Sequence, residues 1–228
     1  MPERLNRRAA PGTLRGGAAE KGRAMRATDD RWRMVAPGGI FLGLLGCAAC
    51  TAPADLTYTG RPTTGRTTRP VVATVSVIDE RDVPPSYVGA VMGVDGKPLK
   101  TLQSPVPAAD AVAGAFAQAL IARGELAPPG APIQQAPYVV TVALLQLNAE
   151  QNAVRLGQAD VVVRVLDRAT GRERYSARFY TESRGDNYLA IDNFALGSPA
   201  ALTQVANDVL NRAINDTIDK PGFQLALR

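Results

Sequence analysis

The stretch from Val154 to Leu166 places Ala159, Val161, Val163 and Val165 on one side and Asp160 and Arg164 on the other. A period of two with β-branched residues on the apolar side describes a strand that buries one face. It does not stand alone. Tyr138 to Asn148 comes before it across a reversal at Glu150-Gln151-Asn152, and Glu173 to Ser183 comes after a hairpin turn, Asp167 to Arg172, that contains Gly171. In that last strand Tyr175, Ala177 and Phe179 oppose Arg174, Ser176, Arg178, Tyr180 and Glu182. Three meandering strands sharing one apolar face need helices to cover it.

The rest of the chain supplies them. Val71 to Ile78 reads as a first strand. Val112, Phe116 and Leu120 recur every four residues in a helix that opens after Ser104 to Pro107 and closes on Arg123 with Gly124 at its C′ position. Between them Tyr87 to Gly93 and Pro98 to Gln103, joined by Asp95-Gly96, form a small hairpin. The final helix is capped by Ser198, with Pro199 at N1. Its apolar stripe is Leu202, Val205, Ala206, Val209, Ala213 and Ile214, its wet face includes Asn207, Asn211 and Asn215, and Pro221-Gly222 stops it. The order strand, helix, three strands, helix predicts an α+β fold: a four-stranded sheet with two amphipathic helices packed on one face. The first crossover should be right-handed.

Charge sorts the chain into segments. Of 26 basic and 21 acidic residues, nine basic and four acidic ones precede Cys47, so that segment carries the whole net charge of +5. The remainder of the chain is balanced, which leaves no basic footprint for nucleic acid. There is no histidine, which excludes imidazole catalysis and His-containing metal sites. Arg31 and Arg33 precede an uncharged stretch, Met34 to Gly46, with the proportions of a secretory signal peptide and too short to span a bilayer, which takes about 20 apolar residues. Residues 1–24 have no apolar period and read as disordered, and Met25 or Met34 could be the true start. Thr51 to Pro70, rich in Thr, Pro, Gly and Arg, reads as a flexible spacer. The organisation is therefore a leader over 1–46, a tether over 47–70 and a folded domain over 71–228.

Leu44-Leu45-Gly46-Cys47 resembles the bacterial lipobox. The resemblance implies cleavage between Gly46 and Cys47, diacylglycerol on the Cys47 thiol and an acyl chain such as palmitate on its new amine, with no other cofactor. Two or more chains hold a protein stably on a membrane. Other readings of the Cys47-Ala48-Ala49-Cys50 pair are a redox or half-metal motif, a simple cut after Ala49, and lipidation at Cys50. Ala48 is not the aspartate that retains many such lipoproteins in the inner membrane, so the periplasmic face of the outer membrane is expected, with the inner membrane as the alternative. Together with the Val71–Ile78 strand, the Ala122-Arg123-Gly124 helix end, the hairpins and the Asn/Asp-studded last helix, the layout is similar to the YajG-type bacterial lipoproteins. It is more distantly similar to the lipopolysaccharide-assembly lipoprotein LptE and to auxiliary lipoproteins of ABC transporters. The YajG-type family brings no catalytic residues with it.

No nucleophile elbow, Walker loop or dinucleotide fingerprint is present. Gly93-Val94-Asp95-Gly96-Lys97 lacks P-loop spacing and reads as a turn. Asp79, Glu80 and Asp82 are too few converging oxygens for a hard cation and read as a solvated strand end, with no metal expected. Glu182, Asp186, Asp192 and Tyr188 could line a small site but lack a partner base. Tyr175, Phe179, Tyr180, Tyr188 and Phe194 concentrate aromatics, as core and loop packing or as a docking patch for a protein or lipid. The expectation is a non-catalytic interaction or assembly domain facing the periplasm, with an envelope protein partner met through that patch or a sheet edge. The alternative is a lipid- or glycolipid-handling accessory of a transporter or lipopolysaccharide-export complex. A closed core with an exposed edge marks the first, and a wide apolar groove between helices and sheet marks the second.

Overall fold

The alternating run that begins at Tyr138 becomes the strand around which everything else is placed. The computed structural model describes residues 50–60, 69–152, 154–184 and 198–228. Its strands are β1 (Cys50–Pro53), β2 (Val72–Asp79), β3 (Tyr87–Met92), β4 (Pro98–Gln103), β5 (Tyr138–Gln151), β6 (Arg155–Asp167) and β7 (Glu173–Arg184); its helices are α1 (Ala108–Arg123), α2 (Pro199–Ile218) and α3 (Pro221–Ala226). All seven strands belong to one sheet in the order β1-β4-β3-β5-β6-β7, with β2 also on β5. The fold is mixed α+β, but the expected four-stranded sheet is corrected to seven.

The extra strands come from segments with weak alternation of their own. One flank of β5 pairs with β6 along its whole length, antiparallel. The other flank is shared: β2 runs parallel beside Tyr138–Leu144 and β3 parallel beside Ala149–Gln151. β3 can approach only because residue 89 is glycine, since a Cβ there would sit 1.9 Å from the Ala149 carbonyl oxygen. The β3–β4 hairpin matches expectation; its joining the sheet depends on this backbone contact, which no side-chain period reports. β1 then adds in parallel to β4.

A register shift between Leu144 and Gln146 is a bulge that changes which residues of β5 face inward. Val140, Val142 and Leu144 are buried before it, Leu147 and Ala149 after it. Opposite them Ala159, Val161, Val163 and Val165 are fully buried, on the side their spacing predicts. α1 lies on β2, α2 lies across β5, β6 and β7, and the two helices touch each other. Val112, Phe116 and Leu120 of α1 and Leu202, Val209 and Ile214 of α2 fill the space between helices and sheet without exposure. Burying each such side chain contributes about 1.5–3 kcal/mol. α1 closes at Gly124 with φ 75°, and Ser198 Oγ accepts the Ala201 N–H at 3.3 Å at the start of α2. Pro221, expected only to stop α2, instead starts α3 and buries Phe223 edge-on against Tyr175, ring centroids 6.0 Å apart.

Candidate functional site

Of the five aromatics read as core and loop packing or as a docking patch, the three among the described residues do not share one surface. Strand alternation separates them. Tyr175 is half-buried against Phe223 and Phe179 is buried in the core, whereas Tyr180 is exposed on the opposite, open face of the sheet. Burial pushes the Tyr175 hydroxyl pKa up, and the hydroxyl finds no hydrogen-bond partner among the described residues. Tyr180 belongs to a polar chain across three strands: Gln146 Nε2 donates to Gln158 Oε1 at 2.7 Å, Gln158 Nε2 to Tyr180 Oη at 2.9 Å, and Tyr180 Oη to Glu182 Oε2 at 3.0 Å. The Glu182 bond first, then burial, raises the Tyr180 pKa. Tyr188, Phe194, Asp186, Asp192, Gly46 and Cys47 lie outside the described residues.

What the structure does place together is a strap on a helix. Cys50 to Gly60 falls within the stretch expected to be a flexible spacer, and that expectation is corrected for these residues. Ala54 and Leu56 are buried, Tyr58 packs on the core, and the Ala54 N–H donates to the Gln103 carbonyl at 2.8 Å beyond the end of β1. Three asparagines spaced one turn apart on α2 bind the strap. Asn207 accepts the Thr57 N–H and donates to the Asp55 carbonyl, both at 2.9 Å. Asn211 accepts the N–H groups of Thr59 and Gly60 at 2.9 and 3.2 Å and donates to the Asn207 carbonyl at 2.8 Å. Asn215 Oδ1 accepts the Tyr58 hydroxyl at 2.7 Å. The side chains read as a wet face are thus the strap's seat. Amides suit that task because each carries both a donor and an acceptor. Two signals were available in the sequence: the i, i+4, i+8 asparagines, and Ala54-x-Leu56-x-Tyr58 alternating inside the Thr- and Pro-rich stretch.

Beside the strap's far end sits a buried ionic knot. Arg123 and Glu125 are each 1 % exposed and bonded at 3.2 Å, Arg123 also pairs with Asp219 from the end of α2, and Gln224 Nε2 donates to Glu125 at 3.1 Å. Burial first, then the Asp219 carboxylate, raises the Tyr58 pKa, with Arg123 opposing. A second buried guanidinium, Arg81, holds Asp79 through both of its oxygens and donates to the carbonyls of Tyr87 and Pro85. Those bonds hold the Asp79 carboxyl below the usual carboxylate range, against a smaller opposing effect of burial. Asp79 is therefore spoken for by arginine. Gly93 to Lys97 is the β3–β4 turn. No group of three or more Cys, Asp or Glu that could hold a metal occurs among the described residues.

Among the described residues one surface open to a partner is the outer edge of β2, alongside the outer edges of β1 and β7 at the two ends of the sheet order. Along its length β2 pairs with β5, and at its start Val72 also bridges Leu126, its N–H donating to the Glu125 carbonyl at 2.9 Å. Beyond the bond from Ala127 N–H to the Val72 carbonyl, its free flank runs past the exposed Thr74, Ser76 and Ile78. A cleft of about 650 Å³ lies along it, bounded by Ala73, Val75, Ala117, Ile121, Pro128 and Arg168. Unpaired main-chain groups beside a shallow apolar cleft offer hydrogen bonds and contact area to an extended segment.

No family model and no curated protein matches the chain. Among solved structures, it is similar to a Xanthomonas campestris protein described under family DUF330, at 13% identity and a TM-score of 0.52, over 78% of this chain and 95% of that one. This likeness is one of fold. PelC of Paraburkholderia phytofirmans, solved as a dodecamer, overlaps at a TM-score of 0.39 and 15% identity over 67% of this chain and 91% of its own. Lipoprotein GNA1162 of Neisseria meningitidis overlaps at 0.23 and 13% identity over 59% and 99%. Overlaps this small bear on neither fold nor role. Among the described residues no helix is long and apolar enough to cross a membrane.

Proposed function

We propose that this chain is a bacterial lipoprotein, held on the periplasmic face of the outer membrane through Cys47, whose α+β body is a non-catalytic docking module. The body would meet an envelope protein by adding an extended segment to β2. The observation that carries the docking half of this reading is a filled core next to an open edge. Phe116, Leu144, Leu202 and Val209 are all fully buried between helices and sheet, while the outer flank of β2 and its cleft stay open. A lipid- or glycolipid-handling accessory would need its apolar cavity where those side chains stand. The anchor half is supported by the lipobox spacing, Leu44-Leu45-Gly46-Cys47.

Two measurements test the halves separately. Cys47→Ser should accumulate as an unprocessed precursor lacking acyl mass, and a processed, membrane-bound product from that variant would remove the anchor. Photocrosslinking side chains at Thr74 and Ser76 in intact cells should give adducts with one protein of defined mass, at greater yield than from Tyr180. Adducts with lipid alone from positions 74 and 76 would overturn the docking reading in favour of lipid handling.

A further inference from the structure

The strap enters the sheet beside a hairpin tip whose composition is unexplained by the fold. β1 lies parallel on β4 with Cys50 opposite Lys100, so the chain leading into β1 comes from the side of the β3–β4 turn. That turn is closed by Gly93 N–H to the Lys97 carbonyl at 2.7 Å and Gly96 N–H to the Gly93 carbonyl at 3.0 Å, and Asp95 Oδ1 accepts the Lys97 N–H at 3.1 Å. Val94 at this tip is 91% exposed, and Leu99, at the start of β4, is 50% exposed. The Lys97 side chain is exposed between them. One exposed apolar side chain needs no explanation. Two of them with a lysine, on a well-bonded turn at the place where the chain departs toward Cys47, do need one.

Distance supplies the occupant. Three residues separate Cys47 from Cys50, so their Cα atoms lie within about 11 Å of each other. Cys50 is one strand spacing, about 4.8 Å, from β4. Whatever surface receives acyl chains on Cys47 is therefore within reach of the tip. We propose that the β3–β4 hairpin tip is a second contact with the membrane, in which Val94 and Leu99 enter the interface and the Lys97 ammonium meets the phosphate of an anionic phospholipid. Asp95 is exposed at the same tip, and although its Oδ1 accepts the Lys97 N–H its carboxylate keeps its charge, so the apolar side chains must supply most of the contact and Lys97 its preference for an anionic lipid. Apolar groups seated about 5–10 Å into the headgroup boundary, next to a cation, are the usual chemistry of such a contact. This inference rests on Cys47 being the lipid attachment, and the body's balanced charge means that a local lysine, not net charge, must supply the attraction.

Val94→Trp tests it, because Trp32 is upstream of Cys47 and the mature variant then holds a single tryptophan. The lipidated, full-length mature protein is reconstituted into phosphatidylethanolamine–phosphatidylglycerol vesicles carrying acyl-brominated lipid. Leu225→Trp, on α3 against β7 at the opposite edge of the sheet, serves as the reference. The indole introduced at position 94 should be blue-shifted and quenched at least about twofold more than the one at position 225. Adding Lys97→Glu should weaken the quenching in these vesicles but not in neutral phosphatidylcholine. Equal quenching at the two positions would overturn the proposal. So would a blue shift at position 94 that grows with protein concentration without bromine quenching, which would assign the tip to a second copy. Intact mass of the N-terminal peptide separates the two levels. Acyl mass with an unquenched indole at position 94 sinks the hairpin contact and leaves the anchor standing, whereas absence of acyl mass sinks both.

Discussion

The β5–β6–β7 meander and the Cys50–Gly60 strap are both extended, and both lie against α2, but they are ordered by opposite means. The meander pairs its strands in continuous ladders and buries a row of valines beneath α2. The strap pairs with β4 as far as Ala54, and from Asp55 onward its main chain is bonded by asparagine side chains more than 140 residues away, with only Ala54, Leu56 and part of Tyr58 buried. The first arrangement is cooperative: losing one valine exposes its neighbours. The second is modular beyond β1, since each asparagine holds its own piece of main chain, and release of residues 54–60 should leave the β5–β6–β7 ladder untouched.

That contrast can be broken from either side. Val161→Asp should do the most damage, because it places an unpaired carboxylate at a fully buried position of β6. A cost above about 4 kcal/mol and no cooperative urea transition are expected. Next comes Gly157→Ala, where the new Cβ would lie 2.5 Å from Val205 Cγ1, a stiff β-branched side chain of α2. A loss of about 1–3 kcal/mol is expected in urea unfolding. Asn211→Ala should cost about 1–2 kcal/mol, and it sharpens the comparison further. Limited proteolysis should then cut within 54–60 while the meander keeps its amide protection, and a uniform loss of protection would show that the two regions are one cooperative unit.

The smallest effect belongs to the meander's own turn. Asp167 Oδ1 accepts the Thr170 N–H and hydroxyl at 2.9 Å and the Ala169 N–H at 3.1 Å, and these bonds, the Thr170 N–H first, hold its carboxyl below the usual range. A folded pKa below the unfolded one means that the contribution is complete at neutral pH and disappears as pH falls through the lowered value. Wild type and Asp167→Ala should therefore differ slightly at pH 7 and converge below about pH 4 in acid denaturation followed by circular dichroism.

How much the sequence discloses tracks the same division. The meander, α1 and α2 are legible because their periods are intrinsic. Ala159, Val161, Val163 and Val165 face inward as their spacing says, and Ser198 caps the helix expected of it. β3 escapes because its place depends on a missing Cβ at Gly89, and the bulge at Leu145 is invisible to a simple count of two. The strap escapes because its own signal, Ala54-x-Leu56-x-Tyr58, is short and the rest of its order is written on α2: a Thr- and Pro-rich segment looks solvated until the asparagines that seat it are known. For the candidate site, alternation alone already places Tyr175 and Phe179 opposite Tyr180. Grouping them by nearness in sequence overrides the signal that separates them in space. The open flank of β2 is a property of topology, and only the assembled sheet order reveals it.

The asparagine seat also sets which changes the protein tolerates. Asn207 and Asn211 read the strap mainly through its peptide groups, with one longer bond of 3.4 Å from Asn211 to the Thr59 hydroxyl, and every residue type except proline presents the same N–H. Thr57 and Thr59 could therefore be exchanged for most other residues with little effect, whereas proline at either position would delete one of the bonds that Asn207 and Asn211 accept. On the helix the freedom is reversed, since an amide accepts on one atom while it donates from a neighbouring one, which a hydroxyl does only from a single oxygen. In a saturation library, then, the segment that looks most repetitive should drift almost freely at its outward positions, and the selection for keeping it in place should fall on a helix face far away in the chain.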